Sequence, residues 1–244
     1  MERLVIIPTY NEKENIENII NVVFDLPLVY HVLVIDDGSP DGTADIIKRM
    51  MNQYPDRLFL IEREGKQGLG TAYITGFKWA VEHHYDYIFE MDADFSHNPQ
   101  DLLKLDAACA NDGADVAIGS RYITGVNVVN WPMGRVLMSY FASKYVRTVL
   151  GISIRDTTAG FVCYRREVLE TIELDKIRFK GYAFQIEMKF TALKCGFIVK
   201  EVPIIFINRV LGTSKMSGGI FSEALLGVIR LKISSWFRKY PQKK

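Results

Sequence analysis

Short apolar runs alternate along the chain with longer stretches in which apolar residues recur every third or fourth position. Leu4-Val5-Ile6-Ile7-Pro8 has the continuous apolar character of a strand buried on both faces. Behind it, Asn11-Glu12-Lys13-Glu14-Asn15 opens a helical pattern that places Ile16, Ile19, Ile20 and Val23 on one face. A second strand is expected over residues 31–35, a helix over 43–54, a third strand over 58–61, a helix over 71–82 and a fourth strand over 87–91. After a fifth strand at 116–120 the alternation loosens. Residues 131–150 and 183–194 read as helices, and a Pro-marked strand pair is expected within 198–207.

Strand and helix in alternation, joined by short connections, predict βαβ units and a mainly parallel sheet with helices on both faces, an α/β fold. Ligands in such folds bind beyond the carboxyl ends of the strands. Polar clusters stand at those ends here: Pro8-Thr9-Tyr10-Asn11-Glu12 after the first strand, Asp36-Asp37-Gly38-Ser39 after the second, and Asp92-Ala93-Asp94 after the fourth.

Each cluster has its own chemistry. Two carboxylates separated by one small residue can approach a hard divalent cation together, and magnesium or manganese held this way is commonly shared with substrate phosphates. An acidic pair in a loop is, taken alone, more often a solvated turn. Asp37 suits a hydrogen bond from a base or ribose, although Asp, Gly and Ser also suit a turn and helix cap for local reasons. Gly65-Lys66-Gln67-Gly68-Leu69-Gly70 matches neither common phosphate-loop pattern and reads better as a tight entry into the next helix.

Composition narrows the picture. The 244 residues fit one sizeable domain, and a net charge of +1 gives no electrostatic case for a nucleic-acid partner. Three cysteines, Cys109, Cys163 and Cys195, far apart and odd in number, argue against a disulfide framework or zinc site. The N-terminal residues lack a signal peptide's extended apolar region, and no run of about 18 apolar residues occurs. The expected location is cytoplasmic, with any membrane work done peripherally, from the cytoplasmic face.

Together, Ile7-Pro8-Thr9-Tyr10-Asn11-Glu12, Asp36-Asp37-Gly38-Ser39, Gly65-Lys66-Gln67-Gly68-Leu69-Gly70 and Asp92-Ala93-Asp94 resemble, in order and spacing, the family 2 glycosyltransferases of GT-A fold. A finer resemblance, over nearly the whole chain, is to the dolichol-phosphate (polyprenol-phosphate) mannose synthases. It rests on Asp92-Ala93-Asp94-Phe95-Ser96-His97-Asn98-Pro99, Gly119-Ser120-Arg121-Tyr122, Asn130-Trp131-Pro132 with Arg135 and Ser139, and Asp156-Thr157-Thr158-Ala159-Gly160-Phe161. Gly181-Tyr182-Ala183-Phe184-Gln185-Ile186-Glu187 and Arg209 with Gly212-Thr213-Ser214-Lys215 continue it.

That resemblance implies inverting transfer of mannose from GDP-mannose to a polyprenyl (dolichyl) phosphate, with a divalent cation (Mg2+ or Mn2+) as cofactor. It implies that Pro8, Tyr10, Glu12, Asp37 and Asp92, with Arg209 and Lys215, bind the nucleotide sugar. Asp92, Asp94 and Ser96 would surround the metal; some relatives carry Gln at the Ser96 position. Arg121, Arg135 and Ser139 would bind the acceptor phosphate, so that Asp92, Asp94, Arg121 and Arg135 form the catalytic set. A phosphate monoester, with a second pKa of about 6, is largely dianionic at neutral pH. It needs cations to attract and orient it rather than a general base. Glu187 and Asp156 stay open as bases or orienting groups. A UDP-glucose-dependent polyprenyl-phosphate glucose synthase, a transferase to a sugar hydroxyl, and a non-catalytic nucleotide-sugar-binding protein are the alternatives.

The resemblance covers a GT-A domain at residues 1–218. Residues 219–244 form a basic, amphipathic segment in which Phe221, Leu225, Val228, Ile229, Leu231, Ile233, Trp236 and Phe237 alternate with Arg230, Lys232 and Arg238. A helix facing the membrane surface and a helix packed on the domain are both open readings of it. A lipid acceptor favours the first, with room for a membrane-protein partner.

Overall fold

The computed structural model describes residues 1–181, 183–208 and 219–243, with side chains from residue 225 onward in the last segment. The chain forms β1 (Arg3–Thr9), α1 (Ile16–Phe24), β2 (His31–Asp36), α2 (Thr43–Met51), β3 (Leu58–Glu62), α3 (Leu69–Glu82) and β4 (Tyr87–Glu90). It continues through α4 (Leu102–Ala110), β5 (Val116–Ser120), β6 (Val128–Val129), α5 (Met133–Leu150), β7 (Val162–Arg165) and α6 (Arg166–Thr171). The last elements are α7 (Ala183–Lys194), β8 (Val199–Pro203), β9 (Phe206–Ile207) and α8 (Gly219–Phe237).

A seven-stranded sheet has the order β3-β2-β1-β4-β7-β5-β8. Within it β7 alone runs against its neighbours β4 and β5. The apolar runs of the parallel strands divide between two faces because successive side chains point opposite ways. Val5, Ile7, Val32, Val34 and Phe89 pack with Ile16, Ile19, Ile20 and Val23 of α1 and with α2 and α4. Leu4, Ile6, Leu33, Ile35 and Ile88 pack with Ala72, Tyr73 and Phe77 of α3 and with α6 and α7. The expected mixed, mainly parallel α/β architecture with helices on both faces is thus observed.

Two of the differences from the sequence reading bear on the site. Strand β7 was absent from the pattern, and its reversal matters: the segment entering it, not the one leaving it, arrives at the carboxyl edge of the parallel strands. Glu90 of β4 and Ile118 of β5 both pair with Val162, so residues 156–161 stand beside the acidic end of β4. The strand pair expected within 198–207 does not form; β8 lies parallel to β5, and β9 pairs with β6 in a separate two-stranded sheet. Pro203 ends β8 because proline supplies no N–H for a continuing ladder.

Helix α8 packs on the domain. Val228 and Leu231 join Val146 and Leu150 of α5 and Ile186 and Phe190 of α7 in a buried cluster. A fully buried aliphatic side chain contributes roughly 1.5–3 kcal/mol. Three basic residues of this segment also turn inward. Lys232 donates to the Leu150 carbonyl at 3.0 Å, Arg238 lies 3.9 Å from Glu173, and Lys243 pairs with buried Asp115 at 2.8 Å.

Candidate active site

The β1–α1 and β2–α2 loops are stitched together at the carboxyl edge. Asp36, at the end of β2, is buried and accepts from Thr9 Oγ1 at 2.8 Å and from Ser39 Oγ at 2.6 Å. Ser39 in turn accepts the Asn11 N–H at 2.9 Å, and Thr43 Oγ1 accepts the Glu12 N–H at 3.0 Å. The Glu12 carboxylate receives Asn15 Nδ2 at 3.0 Å. Asp36 therefore holds the loop pair, while its neighbour Asp37 serves a second connection. Arg63, immediately after β3, donates from Nε to Asp37 Oδ1 at 2.6 Å and from Nη1 to Thr71 Oγ1 at 2.8 Å. Pro8 lies within β1 beside Ile35, and the Lys66 ammonium stands 5.4 Å from the Tyr10 ring.

The Gly65-to-Gly70 loop is a packing device in this structure. The Gly70 N–H donates to the Lys180 carbonyl at 2.8 Å, and a Cβ at Gly70 would stand 2.8 Å from the Phe184 ring. Only glycine admits that approach.

Beyond β4, Asp92 keeps 40% of its side chain exposed, whereas Asp94 is buried. Ser96 donates its backbone N–H to Asp94 Oδ1 at 3.0 Å, and its hydroxyl bonds the same oxygen. His97 accepts the Asp92 N–H on Nδ1 at 3.3 Å and stacks on Phe161 at 4.8 Å. Burial pushes the His97 pKa down to about 4 against the pull of Asp94, so the ring is neutral at pH 7 with its proton on Nε2. Among the described residues no cluster of three or more His, Cys, Asp or Glu side chains could hold a metal. Two carboxylates at an open strand end fit a hard divalent cation that takes its remaining oxygens from phosphate and water.

On the other side, buried Arg121 follows β5 directly. It donates from Nε to Asp156 Oδ2 at 2.7 Å, from Nη2 to Asp156 Oδ1 at 2.6 Å, and from Nη2 to Thr158 Oγ1 at 2.9 Å. Burial alone would raise the Asp156 pKa, but the Arg121 guanidinium outweighs it and holds the carboxyl below its ordinary value. Glu201 of β8 fixes the same segment by accepting the Asp156 N–H at 2.9 Å and Ser120 Oγ at 2.7 Å. From below, the fully buried Lys189 ammonium donates to the carbonyls of Thr157 at 3.3 Å and Ala159 at 2.5 Å.

Arg135 stands in the first turn of α5, stacked 4.0 Å from the Trp131 ring centre and bonded through Nη1 to Asn208 Oδ1 at 3.0 Å. Arg121 lies 5.5 Å from the same indole, so both guanidinium groups converge on one aromatic ring. Ser139, one turn on from Arg135, lies beside Tyr122. Arg209, Lys215, Tyr182 and the Phe221 side chain lie outside the described residues. Glu187 is buried and accepts the N–H groups of Arg178 at 2.8 Å and Phe179 at 3.0 Å. It shapes the segment under the glycine loop.

Sequence reading gave no role to Arg63, His97, Glu201 and Lys189. An arginine just past a strand end was the only available signal for Arg63; Glu201 and Lys189 act through contacts remote in sequence, and His97, although inside the motif that follows β4, is placed by its stack on distant Phe161 as well as by the nearby Asp92 N–H.

The mainly parallel sheet carrying an acidic pair at its carboxyl edge agrees with the GT-A glycosyltransferase fold. Glucosyl-3-phosphoglycerate synthase from Mycobacterium tuberculosis, solved with Mn2+, UDP and glucosyl-3-phosphoglycerate, superposes with a TM-score of 0.66 at 18% identity over 96% of this chain and 79% of that one. The mannosyltransferase PcManGT from Pyrobaculum calidifontis, solved with GDP-Man and Mn2+, gives 0.61 at 19% identity, covering 98% and 66%. Residues 4–173 match the model of glycosyl transferase family 2, and the chain belongs to that family. It is 48% identical over 234 residues to polyprenol monophosphomannose synthase of Mycolicibacterium smegmatis, covering 96% of this chain and 86% of the relative. With undecaprenyl-phosphate mannosyltransferase of Micrococcus luteus the identity is 45% over 230 residues, covering 94% and 93%.

Proposed function

We propose that this enzyme transfers mannose with inversion from GDP-mannose to a polyprenyl phosphate. The observation that carries the reading is the pair of guanidinium groups, Arg121 and Arg135, gathered on Trp131 across the site edge from Asp92 and Asp94. Arginine forks suit phosphate oxygens. The two related mannosyltransferases, both named for polyprenyl phosphate acceptors, support the same acceptor class.

The buried carboxylates make poor general bases. Asp156 is clamped by Arg121 and held below its ordinary pKa, and Glu187 is occupied by two backbone N–H groups. An acceptor that arrives already ionised removes the need for either. Its oxygen forms the new bond to the anomeric carbon as the bond from that carbon to the nucleoside diphosphate breaks. Asp92 and Asp94, with Ser96 fixing the Asp94 carboxylate, would hold the divalent cation, which when bound offsets charge on the departing diphosphate. Tyr10, Glu12 and Asp37, with Arg63 steadying Asp37, form the nucleotide side.

A polyprenyl tail stays in the bilayer, so the enzyme works at a membrane surface. No helix among the described residues is long and apolar enough to cross one. Two exposed apolar surfaces serve instead: Met133, Leu137, Met138 and Phe141 on α5, beside Arg135, and Leu226, Ile229, Ile233, Trp236 and Phe237 on α8. This enzyme acts peripherally, from the cytoplasmic face.

Transfer from radiolabelled GDP-mannose, and separately UDP-glucose, to a short polyprenyl phosphate tests the reading, with magnesium, manganese or chelator present. Chelator-sensitive label in the organic phase from GDP-mannose alone is expected. Label from UDP-glucose would replace the sugar assignment, and no label from either would refute the acceptor.

A further inference from the structure

Both Arg121 and Arg135 come within cation–π range of the Trp131 ring, at 5.5 and 4.0 Å. Its indole sits in the short connection between β6 and α5, and Phe206 of β9 meets it edge-on at 5.3 Å and 73°. The packing fixes the ring from the β6–β9 side, and the ring then fixes Arg135. A long guanidinium side chain near a helix start has many rotamers, and a stacked planar partner selects among them. Arg121 is fixed independently by Asp156, so the Trp131 stack, together with the Asn208 bond to Arg135, sets the spacing of the second guanidinium relative to the first.

One further observation points to an anion here. The Trp131 Nε1–H is buried and has no hydrogen-bond partner among the described residues. A buried indole N–H ordinarily has one. An unpaired donor beside two converging guanidinium groups is the chemistry of a site that takes phosphate oxygens.

We infer that Trp131 is a positioning residue of the acceptor-phosphate pocket: its ring holds Arg135 in register with Arg121, and its N–H adds a donor to the same anion. This inference rests on the proposed acceptor. It assigns the tryptophan to the phosphate rather than to the lipid tail or to the nucleotide sugar.

The test uses the full-length enzyme with short-chain polyprenyl phosphate and GDP-mannose. Wild-type transfer comes first, since its absence would sink the acceptor reading itself and leave Trp131 unassigned to it. Given transfer, Trp131→Leu is expected to raise the acceptor KM by about tenfold or more while the GDP-mannose KM stays within about twofold. Trp131→Phe, which keeps a ring and loses the N–H, is expected to fall between wild type and Trp131→Leu. Inorganic phosphate, used as an inhibitor competing with the acceptor, should lose potency in parallel. An acceptor KM unchanged in both variants would overturn the inference. So would equal losses for donor and acceptor, or an unchanged phosphate inhibition constant, which would move the tryptophan to the tail. If Trp131→Leu does not fold, Trp131→Phe decides alone: a wild-type acceptor KM would refute the role.

Discussion

Arg121 grips Asp156 fork to fork, with bonds of 2.7 and 2.6 Å inside a pocket where the carboxylate has no exposed surface. Breaking a buried pair from one side strands the other charge, at a cost of roughly 3–5 kcal/mol. Asp156→Asn should therefore lower stability by about that amount at pH 7, read as a shift in the urea midpoint, and should raise the acceptor KM as Arg121 loses its register. The pH dependence has a definite sign. Because the folded-state pKa lies below the ordinary 3.8, the Asp156 contribution is complete above that value and is lost as pH falls through the lower folded one. Wild type should lose stability more steeply than Asp156→Asn below about pH 4; parallel curves would show that the pair stores no such energy.

Much of this arrangement was legible in the sequence, and what was not has a physical cause. The strand runs 4–8 and 31–35 and the acidic ends that follow them are local patterns, and they appear at the carboxyl edge as expected. Strand β7 is only four residues long, Val162 to Arg165, too short for a periodic signal, yet its reversal is what delivers Asp156 to Arg121. Nor could the sequence show that Asp36 binds loops while adjacent Asp37 binds Arg63, because both partners come from other strand ends. The inward turn of Lys232 and Lys243 was equally hidden: a basic residue in an amphipathic segment reads the same whether it faces a headgroup, a carbonyl or a carboxylate of the domain.

Lys189 is a buried ammonium whose bonds run to the Thr157 and Ala159 carbonyls and to Gln185. Burial, only partly offset by Glu90 and Asp156, pulls its pKa down from 10.5 to about 8. The folded protein thus holds this proton less tightly than the unfolded chain. Between about pH 8 and 10.5 the unfolded state binds more protons, so this group makes stability rise with pH across that window. Lys189→Met should abolish that rise, which is on the order of a few kcal/mol. Urea titrations of both proteins from pH 7 to 10.5 provide the comparison, and identical slopes would show that the ammonium titrates as it does in the unfolded chain. The variant should also loosen the 157–159 segment, seen as faster amide exchange there.

Helix α8 has two apolar faces, and only one is used by the fold. Val228 and Leu231 are buried against α5 and α7, while Trp236 and Phe237 are 67% and 83% exposed on the outer stripe with Leu226, Ile229 and Ile233. Removing everything after residue 219 would strip the inner face from the core and the Lys243 anchor from Asp115, so loss of membrane binding by such a truncation would carry no information. Replacing Trp236 and Phe237 together by Ser touches only the outer stripe. Exposed positions tolerate such changes within about 0.5 kcal/mol each, so the melting temperature should move by a few degrees at most. Insertion of two aromatic side chains into a headgroup boundary is worth several kcal/mol at full burial, so partial insertion still predicts at least about a tenfold loss of vesicle binding. Flotation with vesicles containing anionic phospholipid measures it, with GDP-mannose binding as the control for an intact site. The outward Arg230 and Lys239 lie beside this stripe and add a salt-sensitive component to the binding. Undiminished flotation of the double variant would exclude the α8 stripe as the docking face and leave the Leu137 and Phe141 face of α5, next to Arg135, as the surface to substitute next.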